Sequence, residues 1–595
     1  MRFFSRSMLL AWTLIACTSM AQPAPAASAP NALNQLFDAY FERSLMLNPL
    51  NATFIGDHRY DDRLTNTISP ARMALALDVE RRYLDAALKF DPNTLSDADR
   101  LSWEIFVNER RTQISGAEFK FEWLPMDQMS SLATLMPVLG SATNAQPFET
   151  VEDYDEFLAR MDDYVIWSDQ SIVNMREGAR HQVVQPRVVM EKVLGQLESL
   201  IADDPTKSLY FQPVLNFPND FPDADRSRLE EDYRAAISQR INPAYQRLRD
   251  FVRDEYMPKT RSSVAWTDLP DGARWYAYLV KVSTTTDYTP DYIHNIGLKE
   301  VARIRGEMQQ VMKQVGFKGN LAAFFRYVQE DPKFYFDKPD DLINAYQDVK
   351  KKIDSKLPQF FSDFPKADYE VRPVEAFRAE SAAGAMYQGP SADGSRPGIF
   401  YVNTFNLKAQ PKFGMETLAL HEASPGHHFQ ISIQQELESL PRFRRFGGNY
   451  TAYVEGWALY AESIGKEMGM FSDPYQYYGR LSDEMLRAMR LVVDTGLHTK
   501  GWTREKAIQY MVDNSSMART DVEAEVERYI ANPGQALGYK IGQIRIREMR
   551  TKAEKALGSR FDIKEFHRQV LSDGALPMDI LEKKIDRWIE TRKKS

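Results

Sequence analysis

The chain of 595 residues has a single cysteine, Cys17, near its N-terminus. No internal disulfide can form, so burial and polar pairing must hold the body together. Histidine is almost as scarce, with eight in all, which makes any local concentration of imidazoles informative. Beyond the N-terminus no apolar run approaches the roughly 18 residues that a membrane-spanning helix needs. Nor does one charge sign dominate: 75 Lys and Arg are interspersed with 83 Asp and Glu, for a net charge of −8. Without a basic arm or stripe, no nucleic-acid partner is expected. Repeats of fixed period and low-complexity segments are also missing from the body.

What remains is ordinary globular material, 43% hydrophobic and 12% aromatic, ample for a large core. Residues 1–21 read as an export signal, with Arg2 and Arg6 ahead of the apolar stretch Met8 to Ala16. Two endings fit it. Leu14-Ile15-Ala16-Cys17 matches a bacterial lipobox, which would leave a lipid anchor on Cys17. Ser19-Met20-Ala21 offers an ordinary cleavage site instead. Both imply a bacterial protein exported to the periplasm or held there as a lipoprotein. Residues 22–30 (QPAPAASAP) form a Pro-rich linker.

From residue 31 to 595 the pattern is that of one large, mainly α domain. A helical portion covers about 31–365, and the chemistry-bearing portion covers about 366–595. Apolar residues recur at spacings of three and four over 71–90, 152–180, 225–256 and 290–315. Ser69-Pro70 and Thr289-Pro290 each read as an N-cap followed by proline in the first turn. Between about 366 and 406 the pattern changes. Residues 369–377 and 398–403 are β-rich and flank the turn-rich Gly389 to Gly398, which predicts a small hairpin or sheet beside the following helix. The edge of the 398–403 strand would be free to align an extended substrate.

Chemistry concentrates at His421-Glu422-Ala423-Ser424-Pro425-Gly426-His427-His428. A helix that carries histidines at i and i+4 brings both to one zinc, with the glutamate after the first as general base. Here the i+4 position is Pro425. Proline cannot donate to the carbonyl of His421, and Gly426 permits an unusual backbone, so a bulge is expected inside the helix. With two residues looped out, His427 takes the second ligand position; His428 is the alternate. The third ligand is expected from Tyr453-Val-Glu455-Gly-Trp-Ala-Leu-Tyr-Ala-Glu462, where two carboxylates lie seven residues apart in an apolar helix. A buried carboxylate needs a cation, a metal or a hydrogen-bond partner. Glu455 is the expected ligand and Glu462 the alternate, better suited to hold a histidine from behind. Arg490, Asp494 and His498 share a face of a third helix, and Tyr539 follows in Pro533 to Gly542. His498, Arg490 and Tyr539 are candidates for stabilising an oxyanion. His58, His181, His294 and His567 lack such neighbours and read as structural.

These blocks together resemble the bacterial family called domain of unknown function 885. The resemblance rests on His421 to His428, Glu455-Gly-Trp-Ala-Leu-Tyr460, Arg490 to His498, Pro533 to Gly542, and Asn48 to Gly56 with Tyr60 and Asp61. It implies a helical fold like that of gluzincin peptidases, with zinc at the bottom of a deep central channel. The expected function is a zinc metallopeptidase with Glu422 as general base, acting on a peptide or small amide. A zinc amidase of the cell envelope and a non-catalytic, lipid-anchored binding protein are the alternatives.

Overall fold

The computed structural model describes residues 29–142, 145–374, 379, 384–390 and 396–594. The export signal, Cys17 and residues 22–28 lie outside the described residues. Ala29 and Pro30, read as linker, instead open the first helix, Ala29–Leu47. Helices make up most of the remainder. Pro70–Ala87, Val151–Arg180 and Pro290–Gln314 follow the expected boundaries closely. Ser69 and Thr289 cap their helices, each hydroxyl accepting from the backbone N–H three residues on. The expected helix at 225–256 is widened at two places, Ile237–Ile241 and Phe251–Tyr256. Pro243 and Pro258 follow them; neither has an N–H for the ladder, and widened turns absorb the loss. Among the described residues no helix is long and apolar enough to cross a membrane.

The expected small sheet is present and has three strands. Strand β1 (Tyr369–Pro373) pairs in parallel with β3 (Gly398–Val402), and β2 (Ala385–Gln388) pairs antiparallel with β3 from the other side. The turn-rich segment before Gly398 therefore joins β2 to β3. All five residues of β3 are buried, as befits a central strand. Both of its edges are occupied, so it cannot take up a substrate strand as the sequence suggested. Residues 375–377, part of the expected first strand, lie outside the described residues.

One apolar cluster runs from Leu33 through Trp457 to Ile589, so the helical and chemistry-bearing portions share a core. Phe37 of the first helix has its ring 5.0 Å from Phe106 and 4.9 Å from Phe443. Each such side chain contributes about 1.5–3 kcal/mol on burial. A second cluster lies wholly within 64–257, and a third joins residues 189–334 to 413–536.

Two features fix the helices that bear the chemistry. Lys540, 1% exposed, reaches Glu484 at 2.6 Å and Glu300 at 2.9 Å. This ties the Leu537–Leu557, Pro474–Thr499 and Pro290–Gln314 helices together. The Thr451–Ile464 and Leu537–Leu557 helices touch through glycine, since a Cβ on Gly542 would stand 1.8 Å from the carbonyl oxygen of Ala452. Gly542→Ala should therefore push the helices apart and cost about 1–3 kcal/mol. A fall in melting temperature is expected, and an unchanged one would contradict the backbone contact.

Candidate metal centre

The helix Met415–Glu422 buries Met415, Thr417, Ala419, Leu420 and His421 and ends at Glu422. Its end follows from the sequence, because Pro425 cannot donate to the carbonyl of His421. The interruption is wider than the bulge expected within one helix. Ala423 leaves the helical region at φ −101°, ψ −121°, the Ser424–Pro425 peptide is cis, and a new helix, His427–Glu436, begins after Gly426. A Cβ on Gly426 would lie 1.9 Å from the carbonyl oxygen of His421, so glycine is required there by close approach. The break is closed by His428 N–H donating to the carbonyl of Ala423 at 3.2 Å. Trp457 pins it from the next helix, its indole N–H donating to the carbonyl of Pro425 at 2.8 Å.

The break turns His427 back toward His421. Nε2 of each imidazole stands 3.5 Å from Oε2 of Glu455. One donor atom from each of the three residues falls within 4.8 Å of the others, and no other such group of three occurs among the described residues. Glu455 lies on the Thr451–Ile464 helix, and so does Glu462, two turns further on. Nδ1 of His421 donates to Oε1 of Glu462 at 2.7 Å. One imidazole thus meets a carboxylate at each nitrogen. The bond from Nδ1 to Glu462 turns Nε2 toward Glu455 and His427.

Electrostatics reflect this crowding. Burial opposes charge on His421, but Glu455 and Glu462 outweigh it and push its pKa up to about 10. Burial likewise opposes charge on Glu455, yet the two histidines hold its carboxyl well below the usual range. Nδ1 of His427 is buried without a partner among the described residues. Side chains of His427 and Glu455 keep 12% and 20% exposure, so the cluster remains reachable. Glu422 follows His421 directly and is half-buried, within electrostatic reach of His421 and Tyr346.

His428 does not join them. Its Nδ1 accepts from the hydroxyl of Tyr387 on β2 at 2.7 Å, and its ring packs 4.8 Å from Tyr369 on β1. Burial pushes its pKa down to about 4. A Cβ on Gly398 would lie 2.5 Å from the Tyr387 hydroxyl, so glycine at the start of β3 makes room for this bond. His428 therefore fastens the sheet to the interrupted motif.

His498 is likewise spent. It is fully buried, its Nε2 donating to the carbonyl of Tyr529 at 3.0 Å and its Nδ1 accepting from the N–H of Trp266 at 3.2 Å. No donor is left for an oxyanion. Asp494 accepts from Tyr276 and from the N–H of Gly534. Arg490 pairs with Glu525 at 3.0 Å and stacks over Tyr539, 4.5 Å from its ring centroid. Tyr539 is 9% exposed and takes a long hydrogen bond, 3.4 Å, from Arg528. The face of Pro474–Thr499 that approaches His421 and Glu462 carries Asp483 and Arg487 instead. Asp483, four residues before Arg487 on a helix of acidic and basic residues, looks like half of an ordinary surface pair, which is why the sequence did not single it out.

The fold is thus a mainly α protein with a two-histidine, one-glutamate donor set at a helix break. The chain belongs to the family described as bacterial protein of unknown function (DUF885), whose model matches residues 49–585. A protein from Colwellia psychrerythraea, described as a candidate lipoprotein, has a similar crystal structure. The two share 29% identity and a TM-score of 0.88, over 95% of this chain and 100% of that one. A second candidate lipoprotein, of unknown function, from Shewanella oneidensis shares the fold at 19% identity. Its TM-score is 0.74, over 94% of this chain and 99% of that one. No curated protein matches the chain.

His498 and His567 provide a test of the imidazole assignments. Nδ1 of His567 donates to the carbonyl of Phe360, and its Nε2 accepts from the hydroxyl of Tyr460, both at 2.9 Å. Burial pushes both pKa values down to about 3. The unfolded chain takes up these protons near pH 6.5, so stability is full above that pH and is lost as pH falls towards 3. Between pH 7 and 5 each histidine should cost about 2 kcal/mol of unfolding free energy. Denaturant titrations at the two pH values measure the loss, and a flat profile would contradict neutral, doubly bonded rings.

Proposed function

We propose that the protein is an exported zinc-dependent hydrolase that cleaves peptide bonds. The observation that carries this reading is the convergence of His421, His427 and Glu455: each histidine Nε2 lies 3.5 Å from Glu455 Oε2, and all three donor atoms lie within 4.8 Å of one another. Ligands about 2.0–2.2 Å from a tetrahedral zinc stand roughly 3.3–3.6 Å from one another. Two imidazoles and one carboxylate are also the donor set of hydrolytic zinc sites, which keep a position open for water. The bond from His421 to Glu462 is the outer support that such a ligand requires. Export agrees with residues 1–21, and an anchor at Cys17 agrees with the description of the similar Colwellia protein.

Zinc held by His421, His427 and Glu455 would lower the pKa of a bound water and polarise the scissile carbonyl. Glu422 would accept the proton of the attacking water on its carboxylate and pass it to the leaving amine nitrogen. Glu462 would keep the proton of His421 on Nδ1, so that Nε2 stays available. Tyr539 is the hydroxyl that would donate to the developing oxyanion; Arg490, stacked on its ring, would hold it in place.

Glu422→Gln should lower kcat on a peptide substrate by a factor of about 10² or more while zinc stays bound. Retained turnover would remove Glu422 from its role, and cleavage of non-peptide amides alone would reassign the bond. Glu462→Gln should weaken zinc binding about 10–100-fold. Competition with a chromophoric chelator measures this, and unchanged affinity would contradict the support of His421.

A further inference from the structure

Three guanidinium groups gather around Tyr539. Arg490 lies over its ring, Arg528 has its Cζ 6.0 Å from the ring centroid, and Arg487 stands within electrostatic reach of both Tyr539 and Arg490. Only part of their donor capacity is used. Arg490 gives Nε and Nη2 to Glu525, but its Nη1 is buried without a partner among the described residues. Arg487 gives Nη1 to Asp483 at 3.1 Å, and its Nε is likewise buried without a partner. Arg528 gives Nη2 to Gln535 at 2.9 Å. The carboxylates that face these three cations are Glu525 and Asp483; Glu462, also within reach of Arg487, is engaged by His421.

The group adjoins the candidate metal centre. Asp483 is within electrostatic reach of His421 and Glu462, and Arg487 of Glu462. The side chains of Arg487, Glu525 and Arg528 keep 13%, 19% and 25% exposure, so the group is reachable from solvent. Buried guanidinium donors without an acceptor are costly, and a planar carboxylate is the ligand that two or three such forks fit best.

We infer that Arg487, Arg490 and Arg528 form a subsite that binds a carboxylate of the substrate, in the first place the free C-terminal carboxylate of a peptide. The inference rests on the peptidase reading for its substrate, though not for its ligand chemistry. It makes the enzyme a carboxypeptidase or a peptidase of short peptides, because Arg487 lies within electrostatic reach of Glu462, the hydrogen-bond partner of His421. An acidic side chain offers the same chemistry, and the test separates the two.

Cleavage of one peptide is compared as its free acid, as its C-terminal amide, and as an amide that carries a glutamate after the scissile bond. Amidation should lower kcat/KM at least about tenfold in the wild type. Arg487→Gln should bring the acid-to-amide ratio close to one, and Arg487→Lys should restore part of it. Restoration of wild-type turnover by the glutamate supports the subsite with an acidic side chain as its ligand. Equal rates on acid and amide, or an unchanged ratio in Arg487→Gln, would overturn the proposal. Calorimetry with N-acetyl-dialanine and its amide reads the same preference without turnover. A preference for the acid at least about tenfold, lost in Arg487→Gln, supports the subsite even if no peptide is cleaved, in which case the peptidase reading alone fails. Equal binding of acid and amide would overturn it.

Discussion

A carboxylate deep inside a protein must be met by a cation, a metal or several hydrogen-bond donors, or it will not stay ionised. Glu455 and Glu462 lie two turns apart on one largely apolar helix, and both are answered by the single imidazole of His421. The rest of the centre depends on that arrangement. It orients Nε2 of His421 toward Glu455, and it requires the first motif helix to end where His421 is still held in register. The break at Ala423 to Gly426 then returns His427 to the same carboxylate. Trp457, between the two glutamates, holds the break by its bond to Pro425.

The surroundings serve this geometry. Glycine against glycine between the Thr451–Ile464 and Leu537–Leu557 helices sets the height of Glu455, and Lys540 locks the adjoining helices by charge. His428, next in sequence to a candidate ligand, has the opposite duty. It ties β2 to the motif and is held neutral by burial. Two adjacent histidines thus take different roles because consecutive side chains on a helix point about 100° apart.

Much of the centre was legible in the sequence because its signals are local and chemically unusual. Few histidines, a Pro-Gly interruption and paired glutamates in an apolar helix restrict the choices severely. The third helix was misread for an equally physical reason. From Glu484 to His498 nearly every residue is buried, so periodicity no longer tells which face approaches the centre. Spacing placed Arg490, Asp494 and His498 on one face, but not the Trp266 and Tyr529 backbone groups that occupy His498. Asp483, which approaches His421 and Glu462, and Arg487, which approaches Glu462, are half-buried residues at the start of that stretch. Strand β2 was missed because four residues, Ala385–Gln388, are too short to show alternation. The parallel pairing of β1 with β3 is a long-range choice that no local pattern encodes.

The central claim is that His421, His427 and Glu455 hold one zinc ion. It is tested most directly by the zinc content of the purified chain and of its His427→Ala and Glu455→Ala variants, after dialysis against metal-free buffer, with circular dichroism confirming the fold. About one zinc per wild-type chain and a loss of most of it in both folded variants is the expected result. No zinc in the wild type, or full occupancy in either variant, would contradict the account.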